Sequence, residues 1–234
     1  TWESFRKTGT IHVLVVSGMH VGLIGTIWFI TLGLCRVPRG LRFLLTGAAL
    51  AVYCTLTGAN PPILRATITG ILLCFGLYQG RRILALNSLG LAGLAILGTS
   101  PRALYDVSFQ LSFGSVLGIL ILAPRLTTPF QEKEWWNLKP CRWIAQGLAV
   151  SVGAWVAVTP LTAWHFHMVT PMALLANLVV VPWSSALIAM GLVLYGAGWI
   201  DPRLACSTAA TFSWATAGLH RLVVWLAQQP GGSW

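Results

Sequence analysis

His12-Val13-Leu14-Val15-Val16-Ser17-Gly18-Met19-His20-Val21-Gly22 runs without interruption into the apolar residues 23–35. A membrane-spanning helix needs about 20 predominantly apolar residues, so 12–35 reads as one span. Two histidines, a serine and two glycines then sit in or at the edge of that helix. Polar side chains are costly in hydrocarbon unless they are partnered or line a hydrated cavity, so the segment predicts polar partners on other spans.

The composition agrees. Hydrophobic residues make up 56% and charged residues 9% of 234, and the mean hydropathy is +0.75. Soluble domains carry roughly 25% charged residues. The 24 glycines and 12 prolines fall largely inside apolar runs, where membrane bundles use them for close packing and for interrupted helices. The net charge of +10 has a topological reading first, because Lys and Arg gather on the cytoplasmic side of a membrane. Five scattered cysteines, Cys35, Cys54, Cys74, Cys141 and Cys206, show neither CxxC nor zinc spacing and read as packing residues. No cleavable signal peptide opens the chain. The polar start without Met and the end at Gly231-Gly232-Ser233-Trp234 read as a piece of a longer protein.

The expected spans are 12–35, 41–58, 63–79, 83–99, 105–123, 142–164, 170–199 and 203–227. The fold class is therefore all-α, a polytopic membrane protein of about seven to eight transmembrane helices. The seventh is too long for one straight span. Pro171, Asn177 and Pro182 interrupt it and predict a broken or re-entrant segment. Basic linkers alternate with uncharged or weakly charged ones. Arg36, Arg39 and Arg42 follow span one, Arg81 and Arg82 follow span three, and Arg125, Lys133, Lys139 and Arg142 follow span five. Positive-inside reasoning places the N-terminus outside and the 124–141 linker in the cytoplasm.

That topology brings polar residues to one side. Arg65 lies early in span three, after Asn60-Pro61-Pro62, with Thr69 on its face and Ala66 and Gly70 as a close-packing pair. Asp106, Gln110 and Gly114 form a stripe at i, i+4, i+8 of span five. His12, Arg65, Asp106, His165, His167 and Asn177 all fall toward the outer half, which predicts a hydrated vestibule. Arg65 has two readings, a headgroup-seeking cation or a buried group. Asp106 also has two, a helix cap or an inward-facing acid. The candidate path-lining residues are His12, Ser17, His20, Arg65, Asp106, Gln110 and Asn177.

His12–Gly22 resembles the "H-L-L-A-[VI]-S-G-[LM]-H" signature of the ComEC competence family. Four further stretches match in the same order. Gly58-Ala59-Asn60-Pro61-Pro62-Ile63-Leu64-Arg65-Ala66 resembles "GA-x-P-[PS]-x-x-R-A". Asn87, before a run ending at Ser100-Pro101, is similar to "N-x-L…P". Tyr105 through Phe113, YDVSFQLSF, resembles "x-D-[VP]-[GS]-F-Q-L-S-F". Thr159-Pro160-Leu161 with His165-Phe166, then Ala176-Asn177-Leu178-Val179-Val180-Val181-Pro182, complete the set. The resemblance implies a single transmembrane competence domain over 1–234 that passes one DNA strand into the cytoplasm through the inner membrane. It implies single-stranded DNA, the lipid bilayer and other competence proteins as partners. The family's OB-like and metallo-β-lactamase-like domains are not in this sequence. No H-x-H-x-D-H motif occurs, since His165-Phe166-His167 lacks the following acid and histidine. No nuclease activity, metal site or cofactor is therefore expected here.

Two other functions fit parts of the pattern. Ser17 and His20 at i, i+3 could act as nucleophile and base of an intramembrane hydrolase, although the rhomboid-type G-x-S-G is not met because Val15 holds its first position. A broken seventh span would suit a small-solute or ion transporter with a midplane site, although no inverted repeat is visible.

Overall fold

The computed structural model describes residues 18–80, 84–133, 136, 138–200 and 202–228. Eight α-helices follow one another in these residues: α1 (Gly18–Leu34), α2 (Arg39–Leu56), α3 (Pro61–Tyr78), α4 (Ala85–Thr99), α5 (Val107–Thr127), α6 (Lys139–Phe166), α7 (Ala173–Ile200) and α8 (Pro202–Ala227). Two short 3-10 turns, Pro101–Tyr105 and Thr128–Phe130, flank α5. There is no β-strand among the described residues. Each expected span corresponds to one helix. The part of the first that covers 12–17 lies outside the described residues.

Among the described residues, four helical segments are long and apolar enough to cross a membrane: Pro61–Tyr78, Val107–Phe130, Lys139–Phe166 and Ala173–Gly196. α1 and α4 are shorter apolar helices. Large apolar side chains point outward on most of the helices, with Leu34 79% and Leu56 80% exposed. Water would not favour so much exposed apolar surface, whereas lipid would. The chain is a multi-pass, all-α membrane protein.

The expected break in the seventh span does not occur. α7 is one helix of 28 residues with Pro182 inside it. Proline removes one backbone hydrogen bond, here the one to the Leu178 carbonyl, and helices packed inside a membrane bundle tolerate that loss. Just past it, Ser184 donates to the Val181 carbonyl at 2.9 Å. α5 likewise carries Pro124 within its last turn. Pro171 lies in the turn that precedes α7.

Packing is set by small residues. A Cβ on Gly118 of α5 would collide with the Gly153 carbonyl and lie 2.5 Å from Ala157 Cβ on α6. The two backbones approach as closely as a glycine pair permits. Gly25 of α1 and Gly70 of α3 both make room for Leu50 of α2, with 3.1 and 2.9 Å to its methyls. Val21, Leu50, Cys54 and Ile63 form the buried centre of this three-helix group. A second buried cluster, Ala176, Val180, Leu187, Leu219 and Val223, joins α7 to α8.

Candidate functional site

Arg65 lies one turn into α3. The approach to this helix is a tight reversal in which Gly58 (φ +85°) and Ala59 (φ +49°) are both left-handed. The Ala59 N–H closes back on the Cys54 carbonyl and the Gly58 N–H on Thr55. Glycine takes this conformation freely, whereas alanine takes it at a cost. Pro61 and Pro62 occupy the first helical positions, where their missing N–H groups cost nothing. This fixes the direction in which α3 leaves the turn and presents Arg65 to its neighbours.

The Arg65 Nε–H donates to Ser112 Oγ of α5 at 2.9 Å. On its other side, a Cβ on Gly18 of α1 would lie 3.3 Å from Arg65 Nη2 and 3.1 Å from Ala66 Cβ. The guanidinium is thus wedged where α1, α3 and α5 meet, and Arg65 is half-buried there. Gly18 and Ala66 are the small residues that let α1 approach. A guanidinium carries five N–H donors. One is satisfied by Ser112, and no carboxylate pairs with Arg65 among the described residues. Ser112 is only 9% exposed. Sequence reasoning had not singled it out as a site residue. Its signal was a hydroxyl within the YDVSFQLSF match, at a depth in span five similar to that of Arg65 in span three.

Asp106 sits at the N-cap of α5 and accepts from the Ser108 N–H at 2.8 Å. Of its two readings, the structure shows the cap. The carboxylate is exposed and satisfies one of the donors left open at a helix start. Gln110, one turn on, donates through Nε2 to the Leu104 carbonyl at 3.0 Å. Its Oε1 lies 3.3 Å from His165 Nε2 at the end of α6. Gly114 continues the stripe against Leu161 of α6, 3.5 Å from where its Cβ would be. Gln110 and Gly114 therefore line the seam between α5 and α6, Asp106 stays at the helix start, and Ser112 on another face of α5 meets Arg65. His167 is the left-handed C-cap of α6 (φ +53°) and is exposed.

His20 is half-buried on α1. Beside it, the Met19 sulfur accepts from Ser185 Oγ of α7 at 3.1 Å, which brings the opening stretch against α7. Asn177 lies two turns closer to the start of α7, and its Oδ1 is buried without a hydrogen-bond partner among the described residues. A buried amide oxygen without a donor is rare and calls for a reason. His12 and Ser17 lie outside the described residues. An open groove of about 520 Å³ runs along α8, lined by Phe212, Ser213, Thr216, Ala217, His220 and Arg221. It contains none of the expected site residues. No group of three or more His, Cys, Asp or Glu side chains among the described residues is placed to hold a metal ion.

The family described as "Competence protein" matches residues 1–234. The chain is similar to "ComE operon protein 3" of Bacillus subtilis (strain 168), 31% identical over 194 residues, covering 81% of this chain and 23% of that protein. It is similar to an "Uncharacterized protein" of Aquifex aeolicus (strain VF5), 36% identical over 180 residues, covering 76% and 39%. It is also similar to "Recombination protein 2" of Haemophilus influenzae (strain ATCC 51907 / DSM 11121 / KW20 / Rd), 30% identical over 198 residues, covering 80% and 25%. The chain thus spans between 23% and 39% of the length of these curated relatives. No solved structure matches it. With the ordered sequence motifs on eight packed helices and a family match over its whole length, the chain belongs to the ComEC competence-protein family.

Proposed function

We propose that this domain is part of an inner-membrane channel that takes up single-stranded DNA during natural transformation, with residues 1–17 entering from the extracytoplasmic side. Membership of the competence family supports the process, and the alternation of basic linkers supports the orientation. One structural observation carries the mechanism. A guanidinium stands inside a membrane-spanning bundle with one hydrogen bond, to Ser112, and no carboxylate beside it among the described residues. A cation held this way is expensive without an anionic visitor or water to complete its shell. A passing phosphodiester would supply the missing acceptors, and arginine's planar fork matches that geometry.

In this reading Arg65 is the first positive contact inside the bundle. Ser112 and Gly18 fix its position, and His20 and Asn177 line the wall that α1 and α7 contribute. Asp106, at the start of α5, and Gln110, in contact with His165 at the end of α6, set the rim. The domain performs no bond chemistry and conducts a strand that other domains or proteins prepare. The continuous α7 removes the half-helix termini on which a midplane solute site would be built.

The test separates binding from passage. Arg65→Ala, at normal membrane abundance, should abolish internalisation of labelled DNA while leaving surface-bound DNA unchanged. Internalisation at the wild-type rate would overturn the assignment.

A further inference from the structure

The opposite ends of α1 and α3 meet the start of α2, and a second cationic cluster is built there. The turn from α1 to α2 closes with the Arg36 N–H on the Gly33 carbonyl and the Val37 N–H on Leu32. This is the pattern that usually places glycine at the left-handed position. Here Arg36 holds it, at φ +57°. A non-glycine residue in that conformation costs roughly 1–2 kcal/mol. α2 then starts with Arg39, and Arg42 follows in the same turn. That first turn carries no acid, and its cap, Pro38, makes no side-chain hydrogen bond. Cations at the positive end of a helix dipole are unfavourable. Positive-inside bias explains basic residues in the loop, but not this crowding at an uncapped helix start.

Arg42 is also held rigidly. Its guanidinium carbon lies 3.5 Å from the centroid of the Phe29 ring. Its guanidinium lies across Gly33, where a Cβ would come 2.6 Å from Nη1, and its Nε is buried without a hydrogen-bond partner among the described residues. Stacking on a ring face fixes the plane of the fork and leaves its edge to bind. Next to it, Phe43 contacts Tyr78 edge-on, with centroids 6.3 Å apart, and a Cβ on Gly40 would lie 3.3 Å from the Tyr78 ring. Tyr78 itself is 60% exposed. The sequence continues past α3 with Arg81 and Arg82.

We infer that this junction of α1, α2 and α3 is a second station for single-stranded DNA, where Arg36, Arg39 and Arg42 hold phosphates and the Tyr78 ring stacks on a base. The inference rests on the reading that the domain conducts a strand, and it places a binding site at the end of the bundle opposite Arg65. Alternating cations and an exposed ring are the means by which proteins hold single strands without reading sequence. Lipid headgroups would suit the arginines and an interfacial tyrosine alike, so the strand is distinguished from lipid by whether the Tyr78 ring contributes to oligonucleotide binding.

The experiment uses the protein in nanodiscs of zwitterionic lipid, with both faces open to water, and a fluorescein-labelled oligo(dT) followed by anisotropy across a salt series. Arg39→Ala and Arg42→Ala should each weaken binding and lower the salt slope by about 0.7, the contribution of one phosphate contact on a single strand. Tyr78→Leu should weaken binding about tenfold and leave the slope unchanged. Arg39 is exposed on the first residue of its helix, so Arg39→Ala keeps the test valid should Arg42→Ala fail to fold. Oligonucleotide binding unchanged in Arg39→Ala and Tyr78→Leu would overturn the station. In a parallel series with nanodiscs containing anionic lipid, a change confined to binding of that lipid would overturn it as well. Both results would leave the Arg65 uptake test untouched, so failure here is distinguishable from failure of the channel reading.

Discussion

Gly118→Ala adds one methyl where α5 and α6 touch through their backbones. The new Cβ would lie 2.5 Å from Ala157 Cβ and still closer to the Gly153 carbonyl oxygen. Neither neighbour is the far end of a flexible side chain that can turn away. The seam must open by roughly 1 Å for Ala157 to return to ordinary contact at 3.4 Å. Overpacking of this kind costs about 1–3 kcal/mol, and contact with rigid backbone places it at the upper end. Alanine returns up to about 1 kcal/mol of helix propensity. The net expectation is a loss of about 2 kcal/mol, or roughly a thirtyfold shift in the unfolding equilibrium. For a chain of this size that corresponds to a fall of about 4–8 °C in melting temperature. Gly90→Ala on α4 is the matched control, because nothing lies within 4 Å of its Cβ position. It should leave the melting temperature unchanged or raise it slightly. Thermal unfolding of both variants in the same detergent checks the pair. A Gly118→Ala protein as stable as Gly90→Ala would refute the close backbone approach of α5 and α6.

Ser112→Ala removes the acceptor of the Arg65 Nε–H and should destabilise the protein by about 1–3 kcal/mol, read from detergent melts, because the charged donor stays behind. Asn177→Leu replaces a buried, unpartnered amide oxygen by an apolar group of similar size. It should be neutral or stabilising by about 1 kcal/mol in the same melts, yet lower DNA internalisation, because the polar wall is lost. Trp155→Phe deletes the indole N–H bond to the Thr170 carbonyl, 3.1 Å long, which ties α6 to the turn before α7. Its expected cost is about 1 kcal/mol, with faster proteolysis in the 167–172 turn as the visible consequence.

The helices were legible because lipid imposes one rule on every span. Backbone groups must bond within the helix, so a long apolar run is almost always a helix. That rule gave the number of spans and most boundaries to within a few residues. It did not reveal that α7 would carry Pro182 without breaking. Nothing in an apolar run distinguishes a proline that a packed helix absorbs from one that ends it. Arg65 was found from its charge, but not its partner. Asp106 lay at similar depth and had the opposite charge. The rotation of α5, which no depth argument can see, turned Ser112 toward Arg65, and Asp106 was already engaged by its own helix start. The His12–Gly22 stretch pointed to the family. Its described part delivers Gly18 to Arg65 and Met19 to Ser185, contacts that depend on which face of α1 turns inward. The Gly118–Gly153 contact was equally hidden, because 24 glycines offer many pairs and only the seam selects one.

The central claim is that a strand passes the Arg65–Ser112 contact. The most direct measurement is the reactivity of a single cysteine at Ser112→Cys, in a protein whose native cysteines are replaced, toward a charged, water-borne thiol reagent during DNA uptake. Ser112 is buried in the bundle, so the reagent can reach it only along a water-filled path. The account predicts that the thiol reacts in the working channel and is protected when a strand with a bulky end is arrested partway. A thiol that never reacts, or that reacts at the same rate with and without the arrested strand, would contradict it.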